Sequence, residues 1–354
     1  MKPKVLILCP HLSEKGGVAF YYSLVKKHFA SKKVDIDFFH TGKHGEISWL
    51  SRISRSLADL LSLTASFPRY DLVLLNPSLD PKAVIRDGIL HLMAKKVFGK
   101  KTMVFFRGWA PECERFIDKH ARAPVRYFLN ADRVIVLSGR FREVLVRWGF
   151  SLERIVLETT TFEHHEFNGY EKSPLKMVFL SRLSRAKGCL EAIQAVEVLS
   201  REFSNVELHV IGDGELTTDL KDYVRRSNLG NTVRFAGWLD GKEKYHLLSQ
   251  CGIMIYPTSY GEGMPNCVLE AMGMGVAVIT RPVGGIVDVL VDGKNGFLID
   301  SLDPKEFAAK ARYLIQNRNA WQTVSNGSRQ QAMENFEIKN VVKRLESLFL
   351  ETVQ

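Results

Sequence analysis

Short apolar runs alternate with longer helix-patterned stretches along this chain, and the alternation starts afresh after residue 172. In the first half the runs cover 5–9, 34–39, 72–75, 102–106 and 134–137. In the second they cover 177–180, 207–211, 233–235, 252–256, 276–279 and 297–299. Strands buried on both faces read as unbroken apolar runs, and the helices between them supply the crossovers that a parallel sheet requires. The pattern predicts an α/β fold with two doubly wound, Rossmann-like domains, whose ligands sit at the C-terminal strand ends. Residues 159–174 (TTTFEHHEFNGYEKSP) break both periodicities and read as an interdomain linker. The expected domains are 1–165 and 172–336, and the last amphipathic segment carries Val341, Val342, Leu345, Leu348 and Phe349 at helical spacing. At 354 residues, each half can bury its own core.

The most informative stretch is YPTSYGEGMPNCVLEAMGMG, residues 256–275. An apolar strand stops at Pro257, a loop follows with Gly261 and Gly263, and Pro265 with Asn266 marks a helix start. Gly273 and Gly275 mark its end. A strand, a glycine-rich turn and a helix N-terminus in that order make a seat for an anion, because backbone N–H groups and the helix dipole both favour negative charge there. Two carboxylates flank the seat. Glu262 is on the loop, and Glu270 lies about 6 Å along the helix axis from Asn266. They would repel a phosphate in contact, but each accepts hydrogen bonds well from hydroxyls. A nucleotide-sugar reconciles the two demands, with its sugar at one carboxylate, its ribose at the other and pyrophosphate between. A surface loop followed by a helix-face glutamate is the plainer alternative.

Other positions extend the argument. After the run 177–180 comes SRLSRAKG, which places Arg182 and Lys187 at the end of a strand. A guanidinium fork and a mobile ammonium suit a pyrophosphate, although both could simply cap helices. Gly16 and Gly17 stand where the first strand turns into the first helix, a plausible backbone contact for a phosphate or sugar. IGDGE (211–215) lacks the third glycine of a dinucleotide fingerprint and reads as a turn near the nucleotide. Asp35 and Asp37 have a metal-binding spacing, but they alternate with Val34, Ile36 and Phe38 and so mark the solvent side of an edge strand. His164 and His165 would point apart in extended chain and are expected to be solvated.

Glu262 and Glu270, with seven residues between them, resemble the E-x7-E signature of the retaining glycosyltransferases of family 4, which have the GT-B fold. The run AVITRPVGGIVDVLVDGKNGFLI (277–299) also resembles that family, and the likeness covers most of 175–300. The resemblance implies two Rossmann-like domains facing across a cleft, the acceptor on the N-terminal side, and a terminal helix (337–354) that crosses back to the first domain. It implies donor contacts at Gly16, Gly17, Arg182, Lys187, Gly263, Met264, Pro265, Asn266, Val268 and Glu270. Catalysis would fall to Arg182, Lys187, Glu262 and the group standing where many members carry His-Gly. This chain has Arg107-Gly108-Trp109 at that place. Arginine cannot act as a general base, but it can bind a sugar hydroxyl or an acceptor phosphate, with Trp109 as a flat face for a sugar ring. Pairing of Arg107 with Glu112 or Glu114 is the structural alternative.

The implied activity is transfer of a hexose from a UDP- or GDP-linked donor to a polysaccharide, lipid-linked or other glycan acceptor. The nucleotide-sugar is a substrate, and neither cofactor nor metal is expected. A non-catalytic nucleotide-sugar sensor or scaffold is the alternative. Charge adds a partner: residues 1–170 hold 27 Lys+Arg against 17 Asp+Glu, and the remainder holds 22 of each. A one-sided basic domain implies an anionic partner: phospholipid headgroups, a lipid pyrophosphate or nucleic acid. A merely solvated basic surface is the plainer alternative, and an anionic membrane surface is the expectation. The helical patterns at 47–66 and 84–101 mix apolar and basic residues and suit either core packing or a membrane surface. No apolar run approaches the roughly 20 residues that span a bilayer. Five scattered cysteines without a C-x-x-C pair argue for reduced thiols. The expected location is cytoplasmic, peripheral at the inner face of the cell membrane. Nucleic acid is not expected as a partner, since no recognition motif accompanies the charge.

Overall fold

The computed structural model describes residues 2–41, 61–120, 123–167, 171–261 and 263–354. Glu262 and residues 47–60 of the expected helix at 47–66 lie outside the described residues. Contacts divide the chain into two units, one of residues 1–160 with 338–354, the other of residues 161–337.

The first unit is built on β1 (Lys4–Cys9), β2 (Asp35–His40), β3 (Leu72–Leu75), β5 (Lys101–Phe105), β7 (Arg133–Val136) and β8 (Ile155–Leu157). They form one parallel sheet in the order β2-β1-β3-β5-β7-β8. A two-residue parallel pair, β4 (Ser78–Leu79) with β6 (Gly108–Trp109), extends its C-terminal edge. Central strands are fully buried: all four residues of β3 have no exposure, which is why they read as an unbroken apolar run. The helices are α1 (Gly17–His28), α2 (Pro81–Leu92), α3 (Pro111–Lys119), α4 (Gly139–Arg147) and the terminal α11 (Ile338–Val353). The last packs on α1 within this unit. Its Arg344 grips Glu158 with two guanidinium nitrogens, Nε at 2.6 Å and Nη2 at 3.0 Å, and Phe349 meets Phe29 at 6.2 Å. Asp35 and Asp37 lie on edge strand β2 and face outward.

The second unit repeats the plan with β9 (Ser173–Leu180), β10 (Glu207–Ile211), β11 (Val233–Gly237), β12 (Cys251–Tyr256), β13 (Ala277–Thr280) and β14 (Phe297–Leu298). Its helices are α5 (Cys189–Ser200), α6 (Thr217–Arg226), α7 (Gly241–Gln250), α8 (Asn266–Gly273), α9 (Pro304–Gln316) and α10 (Arg318–Asn335). The strand order, β11-β10-β9-β12-β13-β14, reverses between β9 and β12. In doubly wound sheets such a reversal leaves a crevice at the strand ends. That places the two informative loops, after β9 and after β12, side by side.

Two expectations are corrected. Trp109 offers no face to a sugar. It is 4 % exposed, stacks on Phe141 at 4.1 Å and on Trp148 at 5.7 Å, and donates its indole N–H to Glu114 at 2.7 Å. A large ring with one polar atom is most stable where both needs are met inside. The segment 159–174 contains the passage between the two units, at 160/161, and its residues there are packed. Thr161 and Phe162 are buried, Phe162 pairs with Glu337, and β9 already begins at Ser173. A Cβ on Gly273 would stand 2.1 Å from the Phe162 ring, so glycine at the end of α8 is what admits that ring. His165 packs its ring on Tyr245 at 4.3 Å rather than lying in solvent.

Candidate functional site at the strand ends

The loop after β9 and the loop after β12 are joined by backbone. The N–H groups of Ser259 and Tyr260 both donate to the Ala186 carbonyl, at 2.8 and 3.1 Å. Gly188 has φ +76°, and a Cβ there would stand 2.3 Å from the Pro257 oxygen, so only glycine lets the two loops touch. Gly212 does the same for the loop after β10: at φ +138° its missing Cβ would lie 1.9 Å from the Ser181 oxygen. The turn at 211–215 thus buttresses the strand end that carries Arg182.

Upon this frame stand the cations. Arg182 is exposed and makes no ion pair among the described residues. The Lys187 ammonium lies 4.1 Å from the centre of the Tyr260 ring, held by cation–π attraction on the neighbouring loop. α8 then starts at Asn266, with Pro265 before it and no acidic residue in its first turn, so no acid of that turn offsets its positive dipole end. The Gly263 carbonyl accepts from Gly285 N at 2.7 Å, which ties the entry loop to the following PVGG turn. Met264 and Pro265 are buried beneath it. Val268 is core with no exposure, and its N–H is taken by the Pro265 carbonyl at 3.1 Å; its side chain has no access to a ligand.

Glu270 is only 3 % exposed and already engaged. Its Oε1 accepts from the Lys244 ammonium at 2.7 Å and from the Tyr245 hydroxyl at 3.3 Å. Burial, reinforced by the Glu270 charge, pushes the Tyr245 hydroxyl well above its usual pKa, which keeps it a donor. A buried carboxylate needs such partners to stay ionised. Sequence reasoning missed Lys244, yet a signal was there: it lies four residues from Leu248, on the apolar face of its helix. A lysine on that face calls for a buried carboxylate. At the other end of α8, the Lys172 ammonium reaches the carbonyls of Met274 and Gly275, and burial lowers its pKa to about 8.

The first unit has a strand-end cluster of different make. Gly16 precedes α1 with no side-chain cap, no acid in the first turn and open space where a Cβ would stand. Arg107 follows β5 and is 8 % exposed. Its guanidinium carbon lies 3.9 Å from the Tyr21 ring centre and 4.1 Å from that of Phe105. Its Nη1 is buried without a hydrogen-bond partner among the described residues. Neither nearby glutamate pairs with it: Glu114 holds Arg140 and Arg147, and Glu112 holds Arg115.

Two Rossmann-like domains of this kind are the GT-B architecture of glycosyltransferases. The chain superposes on Anabaena Alr3699/HepE, solved with UDP, at a TM-score of 0.76 and 18 % identity, covering 99 % of this chain and all of that one. Residues 160–331 match the family described as "Glycosyl transferases group 1". The amylovoran biosynthesis glycosyltransferase AmsK of Erwinia amylovora is 25 % identical over 60 % of this chain and 55 % of its own length. The capsular polysaccharide biosynthesis glycosyltransferase CapM of Staphylococcus aureus is 27 % identical over 57 % and 52 %. The chain thus spans about half the length of the curated relatives it matches. Together these likenesses support a glycosyltransferase.

Proposed function

We propose that the chain is a retaining glycosyltransferase of family 4 that moves a hexose from a UDP- or GDP-linked donor to a polysaccharide, lipid-linked or other glycan acceptor. The observation that carries this reading is the edge where the loops after β9 and β12 meet: Ser259 and Tyr260 bond Ala186, Lys187 lies over the Tyr260 ring, and Arg182 is exposed on the same loop. Likeness to a structure holding UDP and glucose supports it. As the bond between the sugar C1 and the diphosphate oxygen breaks, negative charge builds on that oxygen. Arg182 and Lys187 stabilise it most at that moment, with the backbone of Gly263, Met264, Pro265 and Asn266 and the dipole of α8. These groups supply the counter-charge, and no metal step is invoked. Glu270, oriented through Oε1 by Lys244, turns its second oxygen to the ribose, and Glu262 takes sugar hydroxyls. Val268 shapes the seat from the core. Gly16, Gly17 and Arg107 serve the sugar and an anionic acceptor, Arg107 without taking the acceptor proton. The basic excess of residues 1–170 supports work at an anionic membrane surface, on the cytoplasmic side.

The test is a panel of nucleotide-sugars in thermal unfolding, followed by transfer with the donor that shifts it most. A ligand at 100 times its dissociation constant adds about 2.7 kcal/mol. The product should keep the donor's anomeric configuration by NMR. An inverted product would remove the retaining mechanism, and stabilisation without transfer or hydrolysis would favour the sensor.

A further inference from the structure

Helix α2 breaks the usual division between an inner apolar face and an outer polar one. Its inner face is spent on the first unit's core through Val84 and Leu90. Yet Ile85 and Ile89, four residues apart on the outside, are 60 % and 49 % exposed. A π-helical turn (Met93–Val97) prolongs the helix and presents Val97 at 70 % exposure. Tyr127, 46 % exposed, leans on the same helix: a Cβ on Gly88 would stand 3.3 Å from its ring. Single exposed apolar residues need no explanation, but a row along one helix does.

Cations border that row and gather at its end. Lys82 and Lys96 are exposed on the same stretch, and Arg126 stands beside Tyr127. Beyond Lys96 opens a cleft of about 490 Å³ that is lined by five cations, among them Arg133 and Arg154, against Asp132 and Glu351. Asp132 is committed to Lys95 at 2.5 Å and Lys101 at 3.8 Å. Lys96, Arg133 and Arg154 make no ion pair among the described residues. The row begins near Arg107: α2 follows β4, whose Ser78 pairs with Gly108, and the Arg107 N–H donates to Pro77.

We infer that the outer face of α2, with the basic cleft at its end, is the surface by which the first unit docks on an anionic lipid bilayer. Isoleucine, valine and tyrosine enter the interface while lysine and arginine meet the headgroup phosphates, the division of labour of an interfacial amphipathic helix. The net charge of residues 1–170 is complementary to such a surface and to no neutral one. This inference rests on the membrane attachment proposed above and names its site. It also places the strand end of Arg107 at one end of the docked face, where a lipid-borne acceptor would arrive.

The test is flotation of the full chain with vesicles of phosphatidylcholine, alone or mixed with phosphatidylglycerol, at rising salt. Two triple variants, Ile85→Asp/Ile89→Asp/Val97→Asp and Lys96→Glu/Arg133→Glu/Arg154→Glu, are compared with the parent, all checked for unchanged thermal unfolding. The parent should bind only the mixed vesicles and be released by salt. The charge reversal should lower partition roughly 1000-fold or more, and the apolar replacement, which also adds three negative charges, roughly 100-fold or more. A parent that ignores the mixed vesicles overturns membrane attachment altogether. Strong binding by parent and both variants alike overturns this face while leaving attachment intact. Inorganic phosphate or glycerol phosphate that stabilises the parent while no vesicle binds would make the cleft a free-anion site and overturn the bilayer.

Discussion

The two sheets share a plan and differ at their C-terminal strand ends, where doubly wound sheets hold ligands. In the second unit the edge is made by backbone: Gly188 and Gly212 let three loops close on one another, and the cations stand above that frame. Its buried charges are partnered, Glu270 by Lys244 and Lys172 by carbonyls. In the first unit the edge is made by side chains, with Arg107 sandwiched by Tyr21 and Phe105 and one nitrogen left without an acceptor among the described residues. A backbone frame suits a ligand part that never varies, such as a diphosphate. A side-chain frame suits the part that does vary, the acceptor.

Breaking the partnered charge in the second unit should have the largest effect. Lys244→Met leaves the buried Glu270 carboxylate without its counter-charge, with the Tyr245 hydroxyl as its remaining described donor, at a cost of about 3 kcal/mol in chemical unfolding. Lys244→Arg should recover most of it. Unchanged stability in the methionine variant would mean that the pair holds nothing together. The cations come next. Arg182→Ala/Lys187→Ala should lower kcat about 1000-fold with a smaller change in the donor KM, because they act where charge develops. A loss confined to KM would reassign them to uniform donor binding.

The first unit has its own unpartnered group in His91, fully buried with neither ring nitrogen hydrogen-bonded among the described residues. Burial, with the Lys95 charge second, lowers its pKa from 6.5 to about 4. Between those values the unfolded chain binds a proton that the folded chain does not. Stability therefore rises with pH from 4 to 6.5 and falls on acidification, by roughly 3 kcal/mol at 1.36 kcal/mol per pH unit. In His91→Leu that part of the slope should vanish, and an unaltered slope in urea unfolding would place its origin elsewhere. The smallest effect is expected at Arg107. Replacement by lysine keeps the charge and loses the fork, so transfer at subsaturating acceptor should fall about 10-fold, and further in Arg107→Ala. Wild-type rates in both would make Arg107 part of the scaffold.

The same contrast governs what the sequence disclosed. The loop-to-helix turn at 256–275 was legible because its determinants are local: glycines, a proline and an asparagine at fixed spacing. The alternation of strands and helices was legible because central strands are buried on both faces. Some strand ends moved by a residue, as with β13, which begins at Ala277 rather than 276. The fate of Trp109 was hidden because it depends on Phe141, Trp148 and Glu114, brought to it by two later helix packings. Lys244 was overlooked because its partner lies 26 residues away. The buried packing of Phe162 was hidden too, since glycine at 273 gives no hint of which ring it admits.

On the proposed reading, Arg182 and Lys187 hold a diphosphate at the edge of the second sheet. Calorimetric titration of the nucleoside diphosphate and of its sugar conjugate, in the parent and in Arg182→Ala/Lys187→Ala, tests it without any acceptor. The free diphosphate carries more charge where the bond to sugar was, so the parent should bind it more tightly than the conjugate. The double variant should lose that preference and keep affinity for the nucleoside. If the parent shows no preference, or the variant retains all of it, the two cations do not face the diphosphate.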